Sequence, residues 1–217
     1  AGIAGLPTQY NGPTNRARNP RSRLDQYFAG AGVVLPATGV YVMDGWQYIA
    51  NPASHYNFQQ LNGTGTNPYN PFDLLCTVNG SYAVAAGDFH VIQQRIEGIA
   101  VTDLAWGTAV AQPITVSFDI WCSIAGLHSG AIINSASNRS YPFSFTINTA
   151  STWQTITLSI PGDITGTWLK TVNTTGLMLR VNLGAGATFL GTANTWAAAN
   201  YVGATGALSL VANAGAT

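Results

Sequence analysis

The stretch TWQTITLSIPGDITGTW, residues 152–168, contains the clearest strand pattern of the chain. Its apolar residues alternate with hydroxyl-bearing ones: Ile156, Leu158 and Ile160 lie between Thr155, Thr157 and Ser159. A period of two with one apolar face is what a half-buried antiparallel strand requires. Pro161-Gly162-Asp163 then ends the alternation as a turn would.

The same period recurs along the chain, and it predicts an all-β protein. The clearest further segments are Val116 to Cys122, Phe143 to Ile147, and Leu177 to Leu183, where Met178, Arg180 and Asn182 form the opposite face. Strand-like residues also begin near Val40 and at Leu74–Val78 and Phe89–Ile96. No stretch longer than about ten residues shows a convincing helical period. Seven to nine strands suggest an antiparallel two-sheet β-sandwich, and the pattern alone leaves jelly-roll and immunoglobulin-like topologies both open.

Two segments are expected to be irregular. Residues 1–14 are small, punctuated by Gly and Pro, and typical of a linker or an N-terminal anchor segment, which leaves 15–217 as the β-domain. Residues 51–73 contain Pro52, Pro68 and Pro71, and they predict a long surface loop.

The composition is poor in charge. Asp, Glu, Lys and Arg make up 7% of the 217 residues, against roughly 25% in a typical soluble domain. Hydrophobic residues make up 47%, which is enough for one core. Gly, Ala, Asn, Ser and Thr supply the polar surface, and these residues favour turns and strands over exposed helices. No apolar run reaches the ~18 residues of a membrane helix, so no membrane association is predicted.

Residues 1–24 contain four basic residues and no acidic one. The four are Arg16, Arg18, Arg21 and Arg23. Such an arm could bind nucleic acid. Its shortness and the lack of interleaved aromatic residues favour a basic anchor segment that is solvated or paired with acids, so no nucleic-acid partner is predicted.

The inventory of reactive groups predicts a protein that is not an enzyme and binds no cofactor or metal. His55, His90 and His128 are isolated, and no metal-binding or nucleophile motif is present. Asp103, Asp119 or Glu97 could be nominated for glycoside hydrolysis. Asp44, Asp88 and Asp163 lie beside Gly, in contexts where Asp bonds the local backbone. Cys122 is expected to be a buried thiol, and a Cys76–Cys122 disulfide stays open.

Aromatic residues are the remaining candidates for binding. Trp46, Tyr56, Tyr69 and Phe72 bracket the predicted loop, and Trp121 lies on the polar face of its strand. Aromatic faces stack on sugar rings when polar groups converge around them. The alternative, for Trp121 above all, is packing against a neighbouring subunit or beneath a loop.

Four motifs in order carry a resemblance to a known family. They are NRARNPRSRLDQ (15–26), VYVMDGWQ (40–47), QQRIEG (93–98) with ITVSFDIW (114–121), and the run from GLMLRVNLGAGATFLGTANTWAAANY (176–201) to LSLVANAGAT (208–217). Together they resemble a jelly-roll, carbohydrate-binding-module-like domain of tailed-bacteriophage tail-fibre and virion structural proteins. The resemblance implies a jelly-roll topology, a structural ion pair for Glu97, and one more apolar strand after Ala216-Thr217, either outside this sequence or supplied by a partner.

The function that the resemblance implies is that of a virion structural protein. It would form the jelly-roll domain of a tail fibre or related surface appendage, assembled in the host cytoplasm, trimeric, and engaged in host attachment with other virion proteins. Two alternatives stay open: a module that binds host-surface polysaccharide, and a capsid or decoration protein with a basic N-terminal arm.

Overall fold

A computed structural model of the protein describes residues 15–62, 67–68 and 70–217. The predicted linker, 1–14, lies outside the described residues. The strands are β1 Val33–Val34, β2 Tyr41–Met43, β3 Trp46–Asn51, β4 Tyr56–Asn62, β5 Phe72–Val78, β6 Phe89–Glu97, β7 Ile114–Ile120, β8 Gly126–Asn134, β9 Ser140–Ile147, β10 Gln154–Ile160, β11 Thr175–Ala185, β12 Leu190–Gly191 and β13 Gly203–Ala204. Helical structure among the described residues is limited to 3₁₀ turns at Gly98–Leu104, Ala187–Phe189 and Leu210–Ala212.

The first layer is one continuous antiparallel sheet of six strands, in the order β2-β3-β6-β11-β8-β9. Strand β11 is central: Val181 is paired with Ile92 on β6 and with Gly130 on β8. Gly130 is in turn opposite Phe143 on β9, and a β-carbon at Gly130 would lie only 2.5 Å from the Phe143 ring. The glycine therefore makes room for the large side chain that fills this row of the core.

The second layer is divided into two separate pieces. One piece is the three-stranded sheet β1-β4-β5, and the other is the pair β10-β7. Both pack on the same face of the six-stranded sheet, because Tyr56 and Phe58 of β4 share a core cluster with Ile92, while the inward residues of β7 and β10 pack around Ile132 and Phe143. The predicted all-β, antiparallel two-sheet arrangement is confirmed; the jelly-roll topology stays a prediction.

The other face of the six-stranded sheet is also covered, which corrects one expectation. Met178, Arg180 and Asn182 were expected on a polar outer face of β11, yet all three are buried. Met178 packs with Val202, so the chain after β11 folds back over this face. Burial lowers the pKa of the Arg180 guanidinium to about 10, and its Nε donates to Gln93 Oε1 at 3.0 Å.

The expected surface loop at 51–73 is wrong over much of its length. Strand β4 occupies Tyr56–Asn62 and pairs with β5 along its whole length. The segment contains a short alternation in which Tyr56 and Phe58 are buried and Asn57 and Gln59 are not. Two buried aromatic residues thus stabilise this strand, and the prolines of the segment lie outside it.

Candidate binding groove

A concave feature lies in the gap between the two pieces of the second layer. It has a volume of about 790 Å³ and is lined mainly by apolar groups of β5, β7 and β11. Strand β5 is hydrogen-bonded to β4, and β7 to β10; within the described part of the chain neither is paired with another strand on its other side. The groove therefore lies between two strand edges. We call it the β5–β7 groove.

The floor of the groove is the core face of the central strand β11. Leu179, Val181 and Leu183 line it, and the first two remain partly exposed although β11 lies in the middle of the six-stranded sheet. The residues of β7 that point inward, including Val116 and Phe118, are likewise only half-buried. The apolar core of the sandwich is thus partly exposed to solvent along the β5–β7 groove.

One end of the groove is closed by a short segment that lies between the two edge strands. On one side Gly215 N donates to Val78 O at 3.0 Å, and Val78 N donates to Ala216 O at 2.9 Å. On the other side Ser123 N donates to Thr217 O at 2.9 Å, just beyond the end of β7. At this end, β5 and the chain after β7 are therefore separated by the width of a single strand.

Four of the five aromatic residues predicted for binding line this groove: Trp46, Tyr56, Phe72 and Trp121. Tyr69 lies outside the described residues. Trp46, Phe72 and Trp121 are half-buried. Tyr56 is 1% exposed and its hydroxyl donates to Leu183 O at 2.7 Å, so its ring serves the core. No sequence pattern marked Trp153 as a groove residue or indicated that Leu179 and Val181 remain partly exposed.

Polar groups are few in the groove, and Asp73 is the most unusual of them. Its Oδ1 accepts a hydrogen bond from Asn67 Nδ2 at 2.8 Å, while its buried Oδ2 has no hydrogen-bond partner among the described residues. Burial raises the pKa of the Asp73 carboxyl, and the nearby charge of Asp119 acts in the same direction. The thiols of Cys76 and Cys122 also line the groove; both are free, and burial raises the pKa of Cys76 to about 12.

The three acids nominated for hydrolysis are each engaged in a separate contact. Glu97 forms an ion pair with Arg18, and Asp103 lies 2.5 Å from Arg16 Nη2. Asp119 accepts from the Thr155 hydroxyl at 2.6 Å on an exposed strand face. These contacts are structural in character.

The basic segment is attached to the six-stranded sheet. Arg18 N donates to Gln94 Oε1 at 2.8 Å, and Gln94 Nε2 returns a bond to Arg18 O at 2.6 Å. Arg16 and Arg18 pair with acids of the same chain, Arg21 lines the β5–β7 groove, and Arg23 is exposed. Two of the four arginine charges are therefore compensated locally.

Two other clusters of polar and aromatic side chains are structural. Asp163, fully buried, accepts from Arg139 Nη2 at 2.6 Å, from Trp168 Nε1 at 2.9 Å and from Gly166 N at 3.0 Å. Burial alone would raise the pKa of this carboxyl, but the hydrogen bonds from Arg139, Trp168 and the Thr165 backbone, with the charge of Arg139, lower it. The local bond to Gly166 is the backbone contact that the Asp-Gly context predicted.

The second cluster surrounds His90, which is buried beneath β4. Its Nδ1 lies 2.9 Å from the Tyr48 hydroxyl, and its buried Nε2 has no hydrogen-bond partner among the described residues. Burial lowers the pKa of His90 to about 4, with the charge of His55 acting in the same direction. At neutral pH this imidazole is therefore uncharged.

The described residues contain no group of three or more His, Cys, Asp or Glu side chains arranged to hold a metal ion. No helix in the described ranges is long and apolar enough to cross a membrane.

No protein-family model matches the chain, and no curated protein matches it. Among solved structures, the chain is similar to the enzymatically active domain of tailspike protein 4 of bacteriophage CBA120, with a TM-score of 0.38 and 9% identity. The match covers 67% of this chain and 18% of that one, so the chain spans less than a fifth of the tailspike structure. A likeness at this TM-score does not establish a shared activity.

Proposed function

We propose that this chain is a structural domain of a tailed-phage surface appendage, a tail fibre or a related fibre, that assembles with identical copies and serves host attachment. The proposal rests on the four ordered sequence motifs and on one property of the fold. The outer face of the β7–β10 pair is exposed and nearly free of charge. Its residues are Thr115, Ser117, Asp119, Thr155, Thr157 and Ser159.

This face suits a subunit contact because the free-energy cost of removing it from water is small. Ser117 Oγ and Thr157 Oγ1 are already within hydrogen-bond distance at 3.0 Å, and Asp119, the single charged residue of the face, accepts from Thr155. Burying unpaired charges would cost far more than burying hydroxyls that are bonded to one another. A trimer built through the β7–β10 face is therefore our structural hypothesis.

Size-exclusion chromatography with light scattering tests the trimer. We expect three times the chain mass for the wild-type protein and a monomer for Thr157→Lys, which would place a charge in the contact. Thr192→Lys, at an exposed position outside this face, is the matched control and should remain trimeric. A wild-type monomer would contradict the subunit hypothesis.

Electron microscopy of the parent particle, labelled with an antibody against this domain, tests the location. We expect label on a tail or head appendage. Label spread over the capsid shell would contradict an appendage and favour the capsid or decoration protein.

A polysaccharide-binding module is the second candidate, because Trp46, Phe72 and Trp121 line one groove. If this groove holds a glycan, binding on a glycan array should be lost in Trp121→Ala. A glycan and a strand cannot occupy the groove together, so the peptide experiment below separates the two uses.

A further inference from the structure

The β5–β7 groove has the features of a missing strand position in the second layer. We propose that it accepts a β-strand donated by another polypeptide chain, extended, about seven residues long, with apolar side chains at alternate positions. This strand would pair with β5 on one side and β7 on the other and join the two pieces of the second layer into one sheet.

The first argument is the width of the gap. The segment Gly215–Thr217 already lies between the ends of the two edge strands, with backbone bonds to Val78 on one side and Ser123 on the other. Neighbouring strands lie about 4.8 Å apart, so the gap at this end holds one strand and no more. A donated strand placed in line with this segment would enter the groove at the required spacing.

The second argument is the direction of the two edges. The carboxyl-terminal ends of β5 and of β7 both flank Gly215–Thr217, so the two strands run in the same direction. The bonds between Val78 and both Gly215 and Ala216 have the pattern of an antiparallel bulge, and Gly215 has the positive φ of 73° that such a bulge favours. The donated strand would thus be antiparallel to both neighbours, which is the more stable pairing.

The third argument is chemical complementarity. Two strand edges present rows of backbone N–H and C=O groups. An extended peptide can form hydrogen bonds with both rows through its own regularly spaced backbone groups, whereas a sugar or a lipid cannot. Neither β5 (FDLLCTV) nor β7 (ITVSFDI) contains Lys or Pro, two residues that commonly protect an exposed edge from pairing. Below, Leu179 and Val181 would be covered by the alternate apolar side chains of the donated strand.

A second copy of this chain is a poorer occupant. Each strand of the described residues is already hydrogen-bonded within a sheet, so the described part of a copy has no unpaired strand to donate. The described strands therefore supply no donor, and the proposal commits to a strand from a different polypeptide.

The probe is a fluorescent, capped peptide, Arg-Thr-Val-Thr-Ile-Thr-Val-Thr-Arg, titrated into the purified protein and followed by anisotropy. We expect saturable binding, together with slowed amide hydrogen exchange in both β5 and β7. A peptide of the same composition with its three apolar residues contiguous is the control, and it should bind at least tenfold more weakly because it cannot present one apolar face to β11.

Two variants separate the groove from the rest of the surface. Val116→Asp places a charge on the inner face of β7 and should weaken peptide binding at least tenfold. Thr192→Asp places the same charge at an exposed position outside both the groove and the β7–β10 face, and it should leave peptide binding unchanged. Circular dichroism confirms that both variants fold. Exchange protection in wild-type protein needs no variant and keeps the test decisive if Val116→Asp unfolds.

Several results would overturn the proposal. Absence of protection in β5 and β7 at millimolar peptide would do so, as would equal binding of the contiguous peptide, which would indicate a general apolar site. A wild-type dimer that dissociates in Val116→Asp would identify a second copy as the occupant. Glycan binding that is lost in Val116→Asp would identify a sugar.

Discussion

Phe143 and Phe118 point into the same core from opposite layers of the sandwich, and their surroundings differ. Phe143, on β9 of the continuous sheet, is 1% exposed, whereas Phe118, on β7 of the divided layer, is only half-buried. Both lie in strands with clear alternation. The difference shows that an apolar face predicts which way a side chain points, while the completeness of the opposing layer decides how far it is buried.

The largest expected effect is the contrast between these two residues. Phe143→Ala should lower the free energy of unfolding by about 3–5 kcal/mol, the usual cost of emptying a packed aromatic site. Phe118→Ala should cost about half as much, because its ring leaves less apolar area buried. Urea unfolding monitored by tryptophan fluorescence measures both. Equal losses would mean that the divided layer covers the core as well as the continuous sheet does.

The next effect concerns Asp163, at the well-packed end of the sandwich. Asp163→Ala should destabilise the protein by about 3 kcal/mol, because Arg139 and the Trp168 indole lose a buried acceptor. Asp119→Ala is the matched control at an exposed position and should change stability by less than about 0.5 kcal/mol. Similar unfolding midpoints for the two variants would show that the Asp163 network does not hold this end together.

A smaller effect is expected from pH at His90. The pKa of this imidazole is lowered in the folded state from 6.5 to about 4, so protons bind the unfolded chain more readily. Its contribution to stability is complete above pH 6.5 and is lost as the pH falls from about 6.5 to about 4. We expect His90→Phe to flatten the fall in stability over this range, as measured by urea unfolding at several pH values. Parallel curves for the two proteins would contradict a buried, neutral His90.

The smallest effect is expected in the basic segment. Arg18→Ala removes the ion pair with Glu97, whose side chains are 58% and 29% exposed, and should cost no more than about 1 kcal/mol. The loss should shrink in high salt because exposed charges are screened. Thermal unfolding at low and high salt measures it, and a loss above about 2 kcal/mol would indicate that this segment is part of the core.

Much of the fold could be predicted from the sequence because half-buried strands carry their own signature. The alternations at Val116, Phe143 and Ile156 each fall in an observed strand, β7, β9 and β10. Strand β8 gave no such signal. Its segment GLHSGAIIN is buried on both faces over most of its length, so the alternation that marks a half-buried strand is missing.

The candidate groove was predicted only in part. Trp46, Phe72 and Trp121 are far apart in sequence and were singled out as aromatic residues outside the core pattern; the structure brings them to one groove. The groove itself depends on the absence of pairing between β5 and β7. Strand order is a long-range property, and the pattern within each strand carries no information about its neighbours.

Amide hydrogen exchange of the protein alone tests the divided second layer most directly. Amides of β6, β8 and β11 should be protected where these strands are paired on both sides, at 89–93, 130–133 and 177–181. In β5 and β7, protected amides that face β4 and β10 should alternate with fast ones that face the groove. Uniform protection of both edge strands in the protein by itself would contradict an unfilled strand position, and with it the account of this surface.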